Sequence, residues 1–166
     1  QDGTGNERLE LWKIGVRMWK AHPLLGVGAG SFFWVSGDYQ SEEQLEKVGH
    51  SYSGTHVAHS LFVELMAELG SLGVITLGLA VLGTWVGLGR VHAQLRNSMG
   101  PSPPSPKLVA LQLYADATRA SILSVLVNGA FLSLLYFSFL YLLLAVGCAI
   151  PPVVRRTIRG PQVKVD

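Results

Sequence analysis

Cysteine is almost missing from this sequence: Cys148 is the only one in 166 residues. One thiol excludes an intrachain disulfide framework and a cysteine-based metal site, and its position inside an apolar run is that of a packing residue. Charge is also scarce. Asp, Glu, Lys and Arg make up 14% of the chain against 49% apolar residues, and the mean hydropathy is +0.35. Such values exclude an ordinary soluble domain and indicate an integral membrane protein or a piece of one. An initiator methionine is lacking, and the first apolar span follows a polar stretch. No signal peptide is therefore expected, and a longer parent chain is inferred. Acidic residues are missing from the segment carrying Arg90, Arg96 and Lys107, and only Asp166 accompanies Arg155, Arg156, Arg159 and Lys164 in the tail. Segments with such an excess of Lys and Arg stay on the cytoplasmic side of a membrane. The net charge of +2 says little alone, and no nucleic-acid partner is expected.

What is present centres on His59 to Gly73, HSLFVELMAELGSLG. His59 and Ser60 are followed, after nine residues, by Gly70-Ser-Leu-Gly73, with Glu64 and Glu68 one helical turn apart between them. From Gly70 to Gly89 no residue is charged, about the 20 apolar positions a helix needs to cross a bilayer core. An ionisable cluster at the water edge of such a helix is a functional-site hypothesis by default.

Upstream, residues 4–22 read as an amphipathic helix. Thr4 and Glu7 have capping-box spacing, Leu9, Trp12, Val16 and Trp19 recur at helical steps, and Pro23 ends the run. Arg8, Lys13, Arg17 and Lys20 give it a basic face. A helix lying on a membrane surface and a helix packed on its own loop domain both fit. The glycines at 26, 28 and 30 form either a tight turn or a loop presenting backbone amides to an anion. They do not make a dinucleotide fingerprint, because no strand precedes them. A short helix capped by Ser41 is expected over Glu42 to Lys47. The polar composition of residues 36–58 suits a surface segment able to cover a site.

Downstream, the charge-free stretch from Ala120 to Val154 is too long for one crossing, and Asn128-Gly129 offers a break. Basic segments on both sides require an even number of crossings between them, so two helices are expected, about 107–128 and 131–152. Asp116 and Arg119 are expected to pair within the membrane. Gly83 and Gly87 form a GxxxG close-packing step. The expected fold class is all-α. Residues 1–58 form an extracytoplasmic loop with an amphipathic helix, 59–90 a transmembrane helix, 91–106 a cytoplasmic loop, 107–154 a transmembrane hairpin and 155–166 a basic cytoplasmic tail.

These pieces together resemble the O-antigen ligase family of bacterial membrane proteins. His59-Ser60, nine residues and Gly70-x-x-Gly73 look like that family's His-(Asn/Ser/Gln)-x9-Gly-x-x-Gly signature. Arg8-Leu-Glu-Leu-Trp12 is similar to its Arg-x3-Leu element, and His22 to Gly30 to the segment that follows. Trp12 stands where leucine is usual and Ser60 where asparagine is commonest. The match covers residues 7–90, and the family's earlier membrane helices, with a further arginine, are absent here.

The resemblance implies a fragment of a GT-C-like glycosyltransferase of the bacterial inner membrane, with residues 1–58 periplasmic or extracellular. A glycan on polyprenyl pyrophosphate would pass to a lipid or glycan acceptor hydroxyl, with inversion and without metal or other cofactor. Besides donor, acceptor and membrane lipids, the remainder of the parent protein is an expected partner, and the fragment alone is expected to be inactive. A pyrophosphate leaving group needs arginine donors, for which Arg8 is the first candidate and Arg17 the second. The acceptor hydroxyl needs a base, a task imidazole suits at neutral pH, and His59 is that candidate. Ser60, Gly70 and Gly73 complete the expected substrate-binding set. A zinc site from His56, His59 and Glu64 is the lesser reading, the spacing falling a turn short of the His-Glu-x-x-His pattern. Glu64 and Glu68 are expected to shape the helix mouth or pair with loop cations rather than act as acid and base. Trp19, Phe32, Phe33 and Trp34 could stack on sugars or rest at the lipid interface. A polysaccharide polymerase, a protein O-oligosaccharyltransferase and a non-catalytic export subunit are the competing functions.

Overall fold

A computed structural model describes residues 3–98 and 105–159. Residues 99–104, most of the Pro/Ser-rich stretch, and the end of the basic tail lie outside these. Every regular element among the described residues is helical: α1 (Gly3–Ala21), α2 (Phe32–Val35), a 3-10 turn (Ser36–Tyr39), α3 (Glu42–Val48), α4 (Leu61–Ser98), α5 (Pro106–Gly129) and α6 (Ser138–Arg159). They form two compact units: residues 3–78 with 127–136, and the described parts of 79–126 with 137–159.

In the first unit α1 packs through Leu11, Ile14 and Met18, all buried, onto Phe32, Tyr52, Ala58 and Ala67. The stripe expected from Leu9, Trp12, Val16 and Trp19 is a neighbouring one, and Leu9 is 52% exposed. Gly15 decides which stripe turns inward. A Cβ there would overlap the Val63 side chain, so only glycine lets α1 approach α4 this closely. α1 thus packs on its own loop domain. The Ser41 cap forms as expected: Ser41 Oγ accepts from Gln44 N at 3.3 Å, the Gln44 side chain accepts from Ser41 N at 3.1 Å, and Gly49 closes the helix in the left-handed region.

α4 is helical on both sides of Gly70, which itself has φ 62°, ψ −163°. Leu61–Leu95 and Ser138–Ile158 are long and apolar enough to cross a membrane, and only 22% and 33% of their apolar windows are buried within the protein. Most of that apolar surface faces outward, as lipid-facing helices require. The described residues are all-helical, with two helices fit to cross a membrane. α5 exists as expected, but Lys107, Asp116 and Arg119 lie along it, and it does not share the length of uncharged sequence seen in the other two.

Three expectations are corrected. The hairpin's second helix begins at Ser138 and not 131, because residues 130–137 leave the helical path and those up to 136 join the first unit. Asp116 pairs with His92 at 2.7 Å, while the Arg119 guanidinium lies 4.5 Å above the Trp85 ring. In the second unit the close-packed glycine is Gly147, where a Cβ would meet Thr84, whereas Gly83 has open space. Thr84 also meets Cys148 at 3.3 Å.

Candidate functional site

The site is built around two irregularities, Gly70 and His59. A helix broken at Gly70 loses the bonds from Ser71 N to Ala67 O and from Leu72 N to Glu68 O, leaving two donors and two acceptors to satisfy. The glycine loop after α1 satisfies all four. Ser71 N donates to Pro23 O at 2.8 Å and Leu72 N to Leu24 O at 3.2 Å, while Val27 N and Gly28 N each donate at 2.9 Å, to Ala67 O and Glu68 O. Gly26 and Gly70 have φ 69° and 62°, and a Cβ on either would overlap the other strand's backbone. The signature glycine Gly70 is therefore needed both for its backbone angle and for the approach of the loop. Gly73 is needed because the break brings it onto the Leu69 side chain.

The amides of the glycine run do face an anion, and it belongs to the protein. Glu68, only 3% exposed, accepts from Phe32 N at 2.8 Å and from Gly30 N at 2.9 Å. Tyr136 donates its hydroxyl to the same carboxylate. Burial and the Glu68 carboxylate both hold the Tyr136 phenol well above its usual range, so it stays a donor.

His59 precedes α4 and has φ 50°, the one non-glycine residue in the left-handed region among those described. Such a conformation costs on the order of 1–3 kcal/mol and persists only where the surroundings impose it. They do so from three directions. Trp12 Nε1 donates to Ala58 O at 3.0 Å, His59 N donates to Ser133 Oγ at 3.1 Å, and Leu61 N donates to Leu132 O at 2.9 Å. Ser133 also bonds the buried carboxylate of Glu64, which takes the Ala58 backbone as well. The half-buried imidazole itself makes no hydrogen bond among the described residues.

Arg8 is half-buried on α1, one turn before Trp12, and its guanidinium has no ion-pair partner among the described residues. Its neighbour Glu7 pairs with His56 at 2.8 Å, fastening this end of α1 to the segment that leads into His59. His56 is thereby turned to Glu7, and among the described residues no three His, Cys, Asp or Glu side chains converge on a metal-sized space. Arg17 is occupied elsewhere: Nε donates to Tyr39 O at 2.6 Å and Nη2 to Gln44. Burial lowers its pKa, with Glu10 opposing. Glu10 is held below its ordinary range by bonds from Lys13 and Gln44. A cavity of about 150 Å³ between Glu10, Arg17, Gln44 and Lys47 lies in this cluster and includes neither Arg8 nor His59. Ser60 is buried, and its carbonyl accepts from Glu64 N at 3.0 Å.

The sequence reading missed Leu132, Ser133 and Tyr136. The available signal was Ser133 and Tyr136 standing as polar atoms among the aromatics Phe131, Phe137 and Phe139, a poor pattern for a helix start but a good one for a packed connector.

A model of the O-antigen ligase family matches residues 1–78. Over 89 residues, 52% of this chain, the sequence is 34% identical to the exopolysaccharide production protein ExoQ of Rhizobium meliloti (strain 1021). That match covers 20% of the relative, so the chain corresponds to a minor part of it. No solved structure matches the chain. The matched stretch holds Arg8, Trp12, the glycine loop, His59 and the broken helix, and over it the chain is similar to O-antigen ligase-like membrane proteins.

Proposed function

We propose that this chain is the C-terminal part of a membrane glycosyltransferase that moves a glycan from a polyprenyl-pyrophosphate carrier to an acceptor hydroxyl, with inversion and without a metal ion. The acceptor oxygen attacks the anomeric carbon while the bond from that carbon to the pyrophosphate oxygen breaks. The hydroxyl proton passes to the His59 ring, and the bonding pair leaves with the pyrophosphate. Arg8 meets the charge that develops there, since a guanidinium offers paired donors to phosphate oxygens. Arg17, with its donors on Tyr39 and Gln44, holds the loop.

The observation that carries this reading is His59: a ring with no hydrogen-bond partner among the described residues, on a strained backbone held by Trp12, Leu132 and Ser133, at the head of an apolar helix. Strain retained against three anchoring contacts is the mark of a preorganised group. A lipid-linked donor presents its head group at that depth. In the same reading residues 1–58 lie outside the bacterial inner membrane, α4, α5 and α6 each cross it, and the basic tail is cytoplasmic.

A second reading concerns the acceptor. The relative is named as an exopolysaccharide production protein, which favours a growing polysaccharide over lipid A core or protein as acceptor, and hence polymerisation over ligation. A subunit that only binds polymer for export is the non-catalytic alternative.

The test is glycan transfer by the full-length protein in bilayers without divalent metal, comparing wild type, His59→Ala and Arg8→Ala at equal insertion. A positioned base contributes about a hundredfold to ten-thousandfold, so falls of that order are expected from His59→Ala. Transfer unchanged in both variants would overturn the assignment and leave the loop as a binding surface.

A further inference from the structure

The turn that splints the broken helix carries two leucines that the first unit leaves bare. Leu24 is 66% and Leu25 72% exposed, at the end of a helix whose own apolar face is buried. Their level in the fold is fixed by the backbone: Leu24 O accepts from Leu72 N and Pro23 O from Ser71 N. Leu72, Val74 and Ile75, the first outward-facing residues of the apolar span, are themselves 49%, 42% and 54% exposed. Any bilayer that covers those three side chains reaches the turn bonded beside them.

We propose that Pro23 to Leu25 form a membrane-dipping finger, with Leu24 and Leu25 among lipid acyl chains at the boundary where α4 enters the bilayer. The backbone suits this depth. Proline has no N–H to satisfy, Gly26 N is bonded to His22 O, and Val27 N and Gly28 N are bonded to the broken helix; the N–H groups of Leu24 and Leu25 stay at the hydrated headgroup level while their side chains reach the acyl boundary. The flanking residues suit it as well. Trp19 Nε1 donates to Ser71 Oγ at 3.2 Å, placing an indole at the interfacial level where tryptophan is enriched, and exposed Lys20 follows in the last turn of α1, suited to lipid phosphates. The finger sets the depth of α1, and with it of Arg8, relative to the membrane. The inference depends on α4 crossing the bilayer and is independent of glycan transfer.

The experiment uses the full-length protein with its native cysteines, Cys148 among them, replaced by serine, one cysteine introduced as Leu25→Cys, Ile75→Cys or Glu46→Cys, and an environment-sensitive fluorophore on each. The proteins are placed in phosphatidylethanolamine/phosphatidylglycerol vesicles containing shallow or deep acyl-chain spin-label quenchers, with iodide as the aqueous quencher. An apolar segment buried about 5–10 Å below the headgroups should be quenched at least about twofold more by the shallow lipid label than by iodide. That result is expected at position 25, with lipid quenching at 75 and iodide quenching at 46. Position 25 behaving like 46, or shielded from both quenchers as a protein partner would shield it, overturns the proposal. So does iodide quenching at 75, because α4 would then not be in lipid.

Discussion

Tyr136 donates its phenolic hydrogen to Glu68, 68 residues earlier in the chain, and the same oxygen accepts the Gly30 N–H at 2.8 Å. One hydroxyl thus joins three segments: the glycine loop, the helix mouth and the connector between α5 and α6. Removing it in Tyr136→Phe leaves Glu68 one donor short and Gly30 N with the carboxylate alone. A hydrogen bond to a charged group contributes roughly 1.5–3 kcal/mol, and a loss toward the lower end is expected because the phenol is partly exposed. Chemical unfolding in detergent, read by Trp12 and Trp19 fluorescence, measures it.

The same phenol makes stability depend on alkaline pH. Its pKa is raised in the folded protein, so its contribution is complete below the ordinary tyrosine value of about 10 and is lost as pH rises through the higher folded value. Wild type and Tyr136→Phe should therefore differ in unfolding midpoint by a constant amount up to about pH 10 and converge above it. A difference that grows with alkaline pH would contradict the assignment.

At His59 activity and stability are expected to part. Glycine occupies the left-handed region without penalty, so His59→Gly should be at least as stable as wild type and about 1 kcal/mol more stable than His59→Ala. Both should lose transfer alike. If His59→Gly is instead the less stable of the two, the positive φ is not a source of strain.

Gly70→Ala and Gly83→Ala are predicted to behave oppositely. A Cβ at Gly70 meets the Leu24 carbonyl and Gly26 N at a backbone angle open only to glycine, whereas Gly83 has open space. Loss of about 2–4 kcal/mol is expected at Gly70, the range of strain at special backbone angles plus overlap. Gly83→Ala should fall between neutral and about 1 kcal/mol stabilising, the helix propensity gain. Unfolding midpoints of the two variants give the comparison.

Trp12→Phe keeps an aromatic side chain, smaller by the pyrrole ring, and deletes the N–H that holds Ala58 O. About 1 kcal/mol of stability is expected to go, with kcat falling more than KM rises, since the change loosens the backbone before His59 and touches no substrate. Trp12→Leu, the residue more usual in the resembled family, should behave the same way. Steady-state transfer rates across donor concentrations would separate kcat from KM.

Composition, hydropathy and spacing are enough for the class of molecule and most of its helices, and they single out the residues proposed for the chemistry. Hydropathy over Gly70 to Gly89 marks a span because twenty uncharged residues have no place in a small soluble fold. Ser41 and Gln44 cap α3 because that bond is local. Arg8, His59 and the paired glycines stood out by residue type and spacing alone.

Contacts made across the chain were decided only by tertiary structure. That α1 buries Leu11, Ile14 and Met18 and not the stripe beside them depends on Gly15 meeting Val63. The opposing anion for the glycine loop is Glu68, because a helix broken at Gly70 leaves backbone groups that the loop alone can reach. Residues 130–137 read as the start of a helix because they are apolar and uncharged. They leave the helical path where Leu132, Ser133 and Tyr136 meet Leu61, His59 and Glu68, partners some seventy residues away that no local pattern announces. Spacing registers what neighbours in sequence can do for one another, whereas satisfying a buried donor or acceptor depends on whichever segment folds against it.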